Sequence, residues 1–437
     1  MALSEQQNHD FAAGGWQFAC TLTTEHVWDA FVLLTLLDHN DRKNTLLTVP
    51  HGGDQKNRFT AAMRARNREV VMEGQDEIAH CCDKCMRVWV DPNGRERDVQ
   101  VVIGDGLAIG HHRCQAAHCT VEVDNNRNRF CAVHMYLDKI CAIGCNEPVV
   151  ADKKACADPV HRRVEELHYA RGTAAFTLRD RLQKHRTTHP HASTQDGDEG
   201  DDGLDDEGEE WFEGIEGDDN ITIQRQVDPG SIGVDDTIPC EAAKSDTGNR
   251  KYKALFGGLR THNEQILVRP CGVIVSRATF YTAEAVSNVL LHVQKTFSVP
   301  RAIKPEHFIY DTNCNARQQV LAHPVEWEWF LDVGMAVDVF HFLHKHSERD
   351  TFCQENNNPA MFPELMGPDG KWFFNTSIAE QTNVWLGGYH SMVRGMRPVK
   401  YNFFLDEMIR LRNQITVAKL AADGHCPRER VRVRHST

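Results

Sequence analysis

The chain has 437 residues, 41% of them hydrophobic, and a formal net charge of −13, which allows two or three domains and at least one sizeable core. No run of about 18 apolar residues is present to span a bilayer, and the opening residues, with His9, Asp10, Glu25 and Asp29, do not read as a secretory leader. The acidity that would exclude a nucleic-acid partner is local: fourteen acidic residues and no Lys or Arg fall between Asp196 and Asp219, leaving the rest of the chain at +1.

A soluble intracellular protein is expected, and there thiols stay reduced, so fifteen cysteines with 24 histidines point to metal binding over disulfides. Residues 1–98 read as a mainly helical N-terminal region. Within it, Glu25–Leu37 has an apolar stripe at helical spacing, whose ordinary role is core packing, and Arg58–Met72 is a second helical candidate. Cys82-x2-Cys85, with Cys81 beside it, is a pair of potential metal ligands. Residues 99–104, Val-Gln-Val-Val-Ile-Gly, read as a buried strand because β-branched residues dominate. Asp105-Gly106 ends this run, either as a carboxylate facing a cleft or as a turn.

From Cys114 to His161 potential ligands fall in pairs: Cys114-x4-Cys119, Cys131-x2-His134, Cys141-x3-Cys145 and Cys156-x4-His161. Two tetrahedral zinc ions need eight ligands, which these pairs supply. With every position taken by protein, such zinc is structural, and it provides the folding free energy that this segment lacks in apolar residues. Residues 111–185 are therefore expected to be a zinc-binding insertion, with helix over Val164–His185. Arg127, Arg129, Lys153, Lys154, Arg162 and Arg163 are candidates for phosphate contact or simply a solvated surface. Residues 186–250 read as an acidic low-complexity linker, expected to stay without structure because it buries too little apolar area to offset its chain entropy.

Structure is expected to resume near Lys251, with short strands at Ile266–Val268 and Gly272–Ser276, a helical face of Ala285, Val286, Val289, Leu290 and Val293, and a strand His307–Tyr310 that ends in Asp311. Asp311 is either a metal ligand or the cap of the following helix. Glu380 lies on an expected helix whose packed side holds Ile378, Trp385, Tyr389 and Met392, and is either a ligand or a solvated carboxylate. Between the two, His341, His346 and Cys353 either complete one more structural zinc site or are ordinary packed side chains of an aromatic-rich segment. A further helix is expected over Phe403–Asn413, before a basic tail at 421–437.

Val101–Gly106, the Cys/His pairs, Tyr310-Asp311-Thr312-Asn313-Cys314, Val339-Phe340-His341-Phe342 and Ala379–Tyr389 together resemble the Kyakuja–Dileera–Zisupton (KDZ) transposases, more narrowly fungal members with a CxC6-like cysteine cluster. The resemblance extends from about Leu22 to about Arg412. It implies an α/β RNase H-like domain, a mixed sheet flanked by helices, formed by 99–110 and 251–420 and interrupted by the zinc insertion. It also implies a DDE-type triad at Asp105, Asp311 and Glu380. The 205 residues between Asp105 and Asp311 are too many for the first and fourth strands of one sheet, but removing the 145 residues His111–Leu255 leaves 60, enough for two strands and a helix. Three carboxylates suit Mg2+ or Mn2+, with two ions about 3.5–4 Å apart serving the attacking and leaving oxygens of a phosphodiester.

The expected function is DNA cleavage and strand transfer in transposition, with DNA (transposon ends or target) as partner, a homo-oligomer allowed, no membrane, and residence in the nucleus. The alternative is a catalytically inactive, zinc-stabilised DNA-binding or interaction protein. A third reading takes the eight ligands as the cross-brace of a ubiquitin ligase, in which the three acids have no role. Related members often have another Cys near Asn357, where this chain has Asn356-Asn357-Asn358.

Overall fold

A run of β-branched residues, buried on both faces, sets the centre of the fold. The computed structural model describes residues 22–50, 57–170, 210–215, 221–222, 249–254, 256–347 and 349–429. They fall into two units, Met1–Ile109 with Asn263–Thr437, and Gly110–His262.

The first unit is built on β1 (Met86–Val90), β2 (Glu96–Leu107), β3 (Asn263–Val268), β4 (Ile274–Phe280), β5 (His307–Ile309) and β6 (Gly334–Ala336). The strand order is β4-β3-β2-β5-β6, with β1 paired to the first half of β2. β4 and β2 both run antiparallel to β3, whereas β5 is parallel to β2 and β6 is parallel to β5.

Successive residues of a strand point to opposite faces, and both faces of this sheet are covered. Val102, Leu267 and Phe308 pack with Val289, Leu290 and Val293 of α3 (Val286–Thr296) and with Ala316 and Val320 of α4 (Asn313–Ala322). Val101, Ile103, Ile266 and Ile309 pack with Ala379 and Leu386 of α7 (Ile378–Gly387) and with Tyr401, Leu405 and Ile409 of α8 (Pro398–Ala422). Two short helices, α5 (Val339–His344) and α6 (Thr351–Asn356), follow β6. α1 (Thr24–Arg42) and α2 (Thr60–Glu73) bury Val32, Leu36 and Met63 against Val399 and Phe403 of α8.

Buried charges tie α8 to its neighbours. Arg66 Nη2 donates to Glu407 Oε2 at 2.7 Å, both side chains being 3% exposed. Arg277 donates to Glu264 at 3.0 Å and to Asp406 at 2.8 Å.

His292 of α3 is buried, with its Nε2 3.0 Å from Ser276 Oγ and its ring edge-on to Phe280. Burial, aided by the nearby positive charge of Arg277, lowers it from 6.5 to about 3. The unfolded chain therefore binds a proton between those values that the folded chain refuses. The contribution of His292 to stability is complete above pH 6.5 and is lost, as pH drops towards 3, by about 1.4 kcal/mol per unit. Urea titrations at pH 7.5 and 5.5 are expected to show this loss in the wild type and a smaller one in His292→Gln.

Several expectations change. Residues 1–98 contain not only α1 and α2 but also β1, which the pairing with β2 holds extended. Asp105-Gly106 does not form a turn: β2 continues through both to Leu107, with Asp105 opposite Ile266. A Cβ on Gly106 would lie 2.5 Å from Asn263 Nδ2 and 2.8 Å from Glu284 Oε2, so a glycine is what lets these polar groups pack beside Asp105. Met392 is 56% exposed and does not share the packed side of Ile378 and Trp385. α8 has 25 residues, more than twice the expected span, because Pro398 begins it and no Gly or Pro interrupts it before Ala422.

In the second unit, His112–Arg113 pairs with Leu259–Arg260, a 3-10 helix spans Ala132–Lys139, and residues 159–170 are helical. Part of the segment expected to lack structure is strand: Glu210–Ile215 pairs antiparallel with Ile221–Thr222 and Asn249–Ala254. Trp211, Phe212 and Ile215, residues of high strand propensity, interrupt the acidic run there. The rest of that linker, the expected helix beyond residue 170 and the tail from residue 430 lie outside the described residues.

Candidate carboxylate and Cys/His metal centres

Asp105 projects from the central strand towards α7. Asn383 of α7 donates from Nδ2 to Asp105 Oδ2 at 2.8 Å. Glu380 precedes Asn383 by three residues in the same helix, a spacing that places both side chains on one face. Asp311 follows β5, the parallel neighbour of β2, and accepts the Thr312 N–H at 2.7 Å. Thr312, not Asp311, is the N-cap of α4, and its side chain makes no capping bond. Burial pushes Asp105 up to about 6; the Asn383 hydrogen bond opposes this, and the charges of Asp311 and Glu380 add to it. Asp311 and Glu380 thus each lie within electrostatic reach of Asp105.

Groups around these acids carry weak or no sequence signals. Glu284 accepts from Asn263 Nδ2 at 2.6 Å and from the Tyr310 hydroxyl at 2.5 Å. Burial holds it above the usual carboxylate range, the Tyr310 hydrogen bond opposes the shift, and the charge of Asp311 adds to it. Nothing in its sequence neighbourhood announces this. Asp338 caps α5, accepting the Phe340 and His341 N–H groups at 3.0 and 3.2 Å. Burial pushes Asp338 up, but hydrogen bonds from Thr376 and His341 outweigh it and hold the carboxyl below its ordinary value. The same oxygen lies 3.1 Å from His341 Nδ1, while His341 Nε2 lies 3.2 Å from Glu380 Oε1. His341, whose two readings are zinc ligand and packed side chain, is therefore turned to Glu380 by its cap. The Asp338-x2-His341 spacing is its only sequence trace.

The cysteine pairs gather as sequential sites. Around a tetrahedral zinc, with Zn–S about 2.3 Å and Zn–N about 2.0–2.1 Å, ligand atoms stand roughly 3.6–3.8 Å apart. In the first site, His134 Nδ1 lies 3.6 Å from Cys114 Sγ and 3.4 Å from Cys131 Sγ, and Cys119 Sγ lies 3.8 Å from Cys131 Sγ. Burial raises the Cys131 thiol, yet the His134 N–H and ring and the neighbouring thiols bring it to about 7, so the thiolate needed for ligation is accessible near neutral pH. In the second, Cys145 Sγ lies 3.6 Å from Cys156 Sγ, and His161 Nδ1 lies 3.7 Å from Cys141 Sγ and 3.2 Å from Cys156 Sγ. Buried Glu165 accepts the Lys154 and Ala155 N–H groups at 2.9 and 3.1 Å and so fixes the loop that presents Cys156. Each site is closed by adjacent pairs in sequence. A cross-brace would interleave them, and the ubiquitin-ligase reading loses its basis.

Cys82 and Cys85 form a third site with His80 and Cys271. Their sulfurs are 3.6 Å apart, and Cys271 Sγ lies 3.4 Å from His80 Nε2. Cys81 is not one of these ligands. Hydrogen bonds from Cys271 and Cys85 hold the Cys82 thiol well below its usual range. Burial lowers Arg269 from its ordinary value, and the charges of Cys85 and Cys271 beside it oppose that shift. Cys271 sits in the β3–β4 turn, 186 residues beyond Cys85, so spacing gave no sign of it. Several Cys/His clusters of this chain are therefore compatible with structural zinc.

Of the candidate phosphate contacts, Arg129 is buried and paired with Asp138, and Lys154 donates to the Phe256 carbonyl. Arg163 pairs with Glu166 at 3.3 Å and remains exposed, as do Arg127, Lys153 and Arg162. Asn357, at the place of a possible further Cys, is fully buried and donates to the Asn313 and Met335 carbonyls at 3.2 and 2.5 Å. It is a backbone clamp and not a ligand. No helix among the described residues is long and apolar enough to cross a membrane.

Comparison with curated proteins and with solved structures gives no match. Residues 103–167, from the strand that bears Asp105 to the helix that bears His161, match the family model of the CxC6 like cysteine cluster associated with KDZ transposases.

Proposed function

We propose that the first unit is an RNase H-like domain of the DDE transposase type and that the protein cleaves and joins DNA phosphodiesters with Mg2+ or Mn2+ held by Asp105, Asp311 and Glu380. The observation that carries this reading is the Asn383–Asp105 hydrogen bond of 2.8 Å, which brings the face of α7 bearing Glu380 onto the central strand. The strand order supports it: three antiparallel strands, then two strands parallel to the first of them in sequence order, with Asp311 just beyond the nearer one.

A bound divalent ion would activate the attacking oxygen and stabilise the leaving one. The chain's own groups hold the carboxylates ready for it. Asn383 fixes the Asp105 rotamer, the Thr312 N–H orients Asp311, and His341, fixed by Asp338, orients Glu380. Exposed Arg127, Lys153, Arg162 and Arg163 of the zinc-binding unit are proposed to contact DNA phosphates, a role that the association of its cysteine cluster with transposases supports. Action on chromosomal DNA would place the protein in the nucleus.

A nicking and strand-joining assay on supercoiled plasmid with Mg2+ tests the reading. Wild-type activity lost in Asp311→Asn is the expected result. Activity unchanged in that variant, or DNA binding with no cleavage by any form, would leave a zinc-stabilised binding protein.

A further inference from the structure

Behind Asp311 the chain forms a smaller cluster that contains Cys314, His346 and Cys353 and leaves out His341. Cys314 lies in the first turn of α4, His346 just after α5, and Cys353 in α6. His346 Nδ1 is 3.2 Å from Cys353 Sγ and 3.9 Å from Cys314 Sγ, and all three ligand atoms lie within 4.8 Å of one another. Both sulfurs are buried. The other nitrogen of the same ring, Nε2, lies 2.9 Å from the backbone carbonyl oxygen of Asp311.

We propose that Cys314, His346 and Cys353 bind a zinc-class ion through Sγ, Nδ1 and Sγ, and that this ion fixes the position of Asp311 through the His346 ring. Two thiolates and an imidazole are the donors that select zinc over the oxygen-preferring cations. A metal on Nδ1 leaves the ring proton on Nε2, which is the nitrogen that must donate to the Asp311 carbonyl. Histidines that ligate metals characteristically donate their second N–H to a carboxylate or a backbone carbonyl, and loss of such partners lowers metal affinity or activity about 10–100-fold. The geometry follows that pattern in reverse: the ligand's outer hydrogen bond reaches the backbone of a carboxylate proposed to hold a second kind of ion. Asn357 adds rigidity, since it donates to the Asn313 carbonyl at the start of α4.

The metal site stands on its own geometry. Its consequence for Asp311 rests on the proposed role of the carboxylates, so the test reads them separately. Zinc per chain is measured on the full-length wild type, Cys353→Ser and His346→Gln, and Mn2+ binding is followed by electron paramagnetic resonance on the same samples. His346 is only half-buried, so His346→Gln keeps the test open where Cys353→Ser fails to fold. Both variants are expected to hold one zinc fewer than the wild type and to bind Mn2+ about 10–100-fold more weakly, whereas Asp311→Asn keeps the full zinc count. Equal zinc counts in wild type and both variants would overturn the site. One zinc lost with Mn2+ affinity unchanged would overturn the link to Asp311. A wild type that binds no Mn2+ would sink the carboxylate reading and leave the zinc count standing.

Discussion

Cys131→Ser is expected to abolish the first zinc centre of the Gly110–His262 unit and to make residues 111–140 open to protease. The argument is one of magnitudes. The packed apolar residues around this centre are Val123 and Phe130, with Ala116 and Leu137 partly buried. At about 1.5–3 kcal/mol for each fully buried large side chain, they cannot offset roughly 1–2 kcal/mol of backbone entropy for every residue fixed. Bound zinc would supply the difference, since structural sites contribute on the order of 10–16 kcal/mol of apparent binding free energy to folding. Removing the Cys131 thiol takes away a ligand and the sulfur nearest His134, while the backbone carbonyl that accepts the His134 N–H at 2.9 Å stays in place. Zinc counting with limited proteolysis checks the result: one zinc lost and a new cleavage site within the segment are expected, and an unchanged digest would contradict the role of the metal. A strong chelator applied to the wild type should give the same digest.

Asp311→Asn is expected to lower Mg2+-dependent strand cleavage by on the order of a thousandfold or more. A metal ion at a phosphodiester is worth several kcal/mol of transition-state stabilisation, and each 1.36 kcal/mol is a factor of about ten. Amide oxygen replaces a carboxylate without changing the size of the side chain, so folding is expected to survive. Glu380→Gln and Asp105→Asn should fall in the same range. Asn383→Ala and His341→Gln remove only the partners of Asp105 and Glu380, and a loss of about 10–100-fold is expected. This grading separates the two kinds of role. If all five variants lost activity equally together with their folded signal, the effect would be structural, and a panel at wild-type activity would remove the mechanism.

Much of this arrangement is written locally. The β-branched run at 99–104 specifies a strand buried on both faces, and the apolar face of α3 is visible in its spacing because each follows from side-chain period and burial. Ligand pairs separated by two to four residues are likewise legible, since a single turn suffices to bring their sulfurs and nitrogens to one ion.

What the tertiary structure alone decided are the contacts made across long stretches of chain. Cys271 joins Cys82 and Cys85 through a β-turn, Cys314 joins His346 and Cys353, and His341 faces Glu380 instead of this cluster because Asp338 caps its helix. Asp105-Gly106 looks like a turn in isolation but stays extended, because pairing with Ile266 and Gln265 of β3 supplies the hydrogen-bonded neighbour that a turn would forgo. Local sequence names the closely spaced pairs of donors, and packing of distant elements adds His80, Cys271 and Cys314 to them and decides which donors gather at one centre.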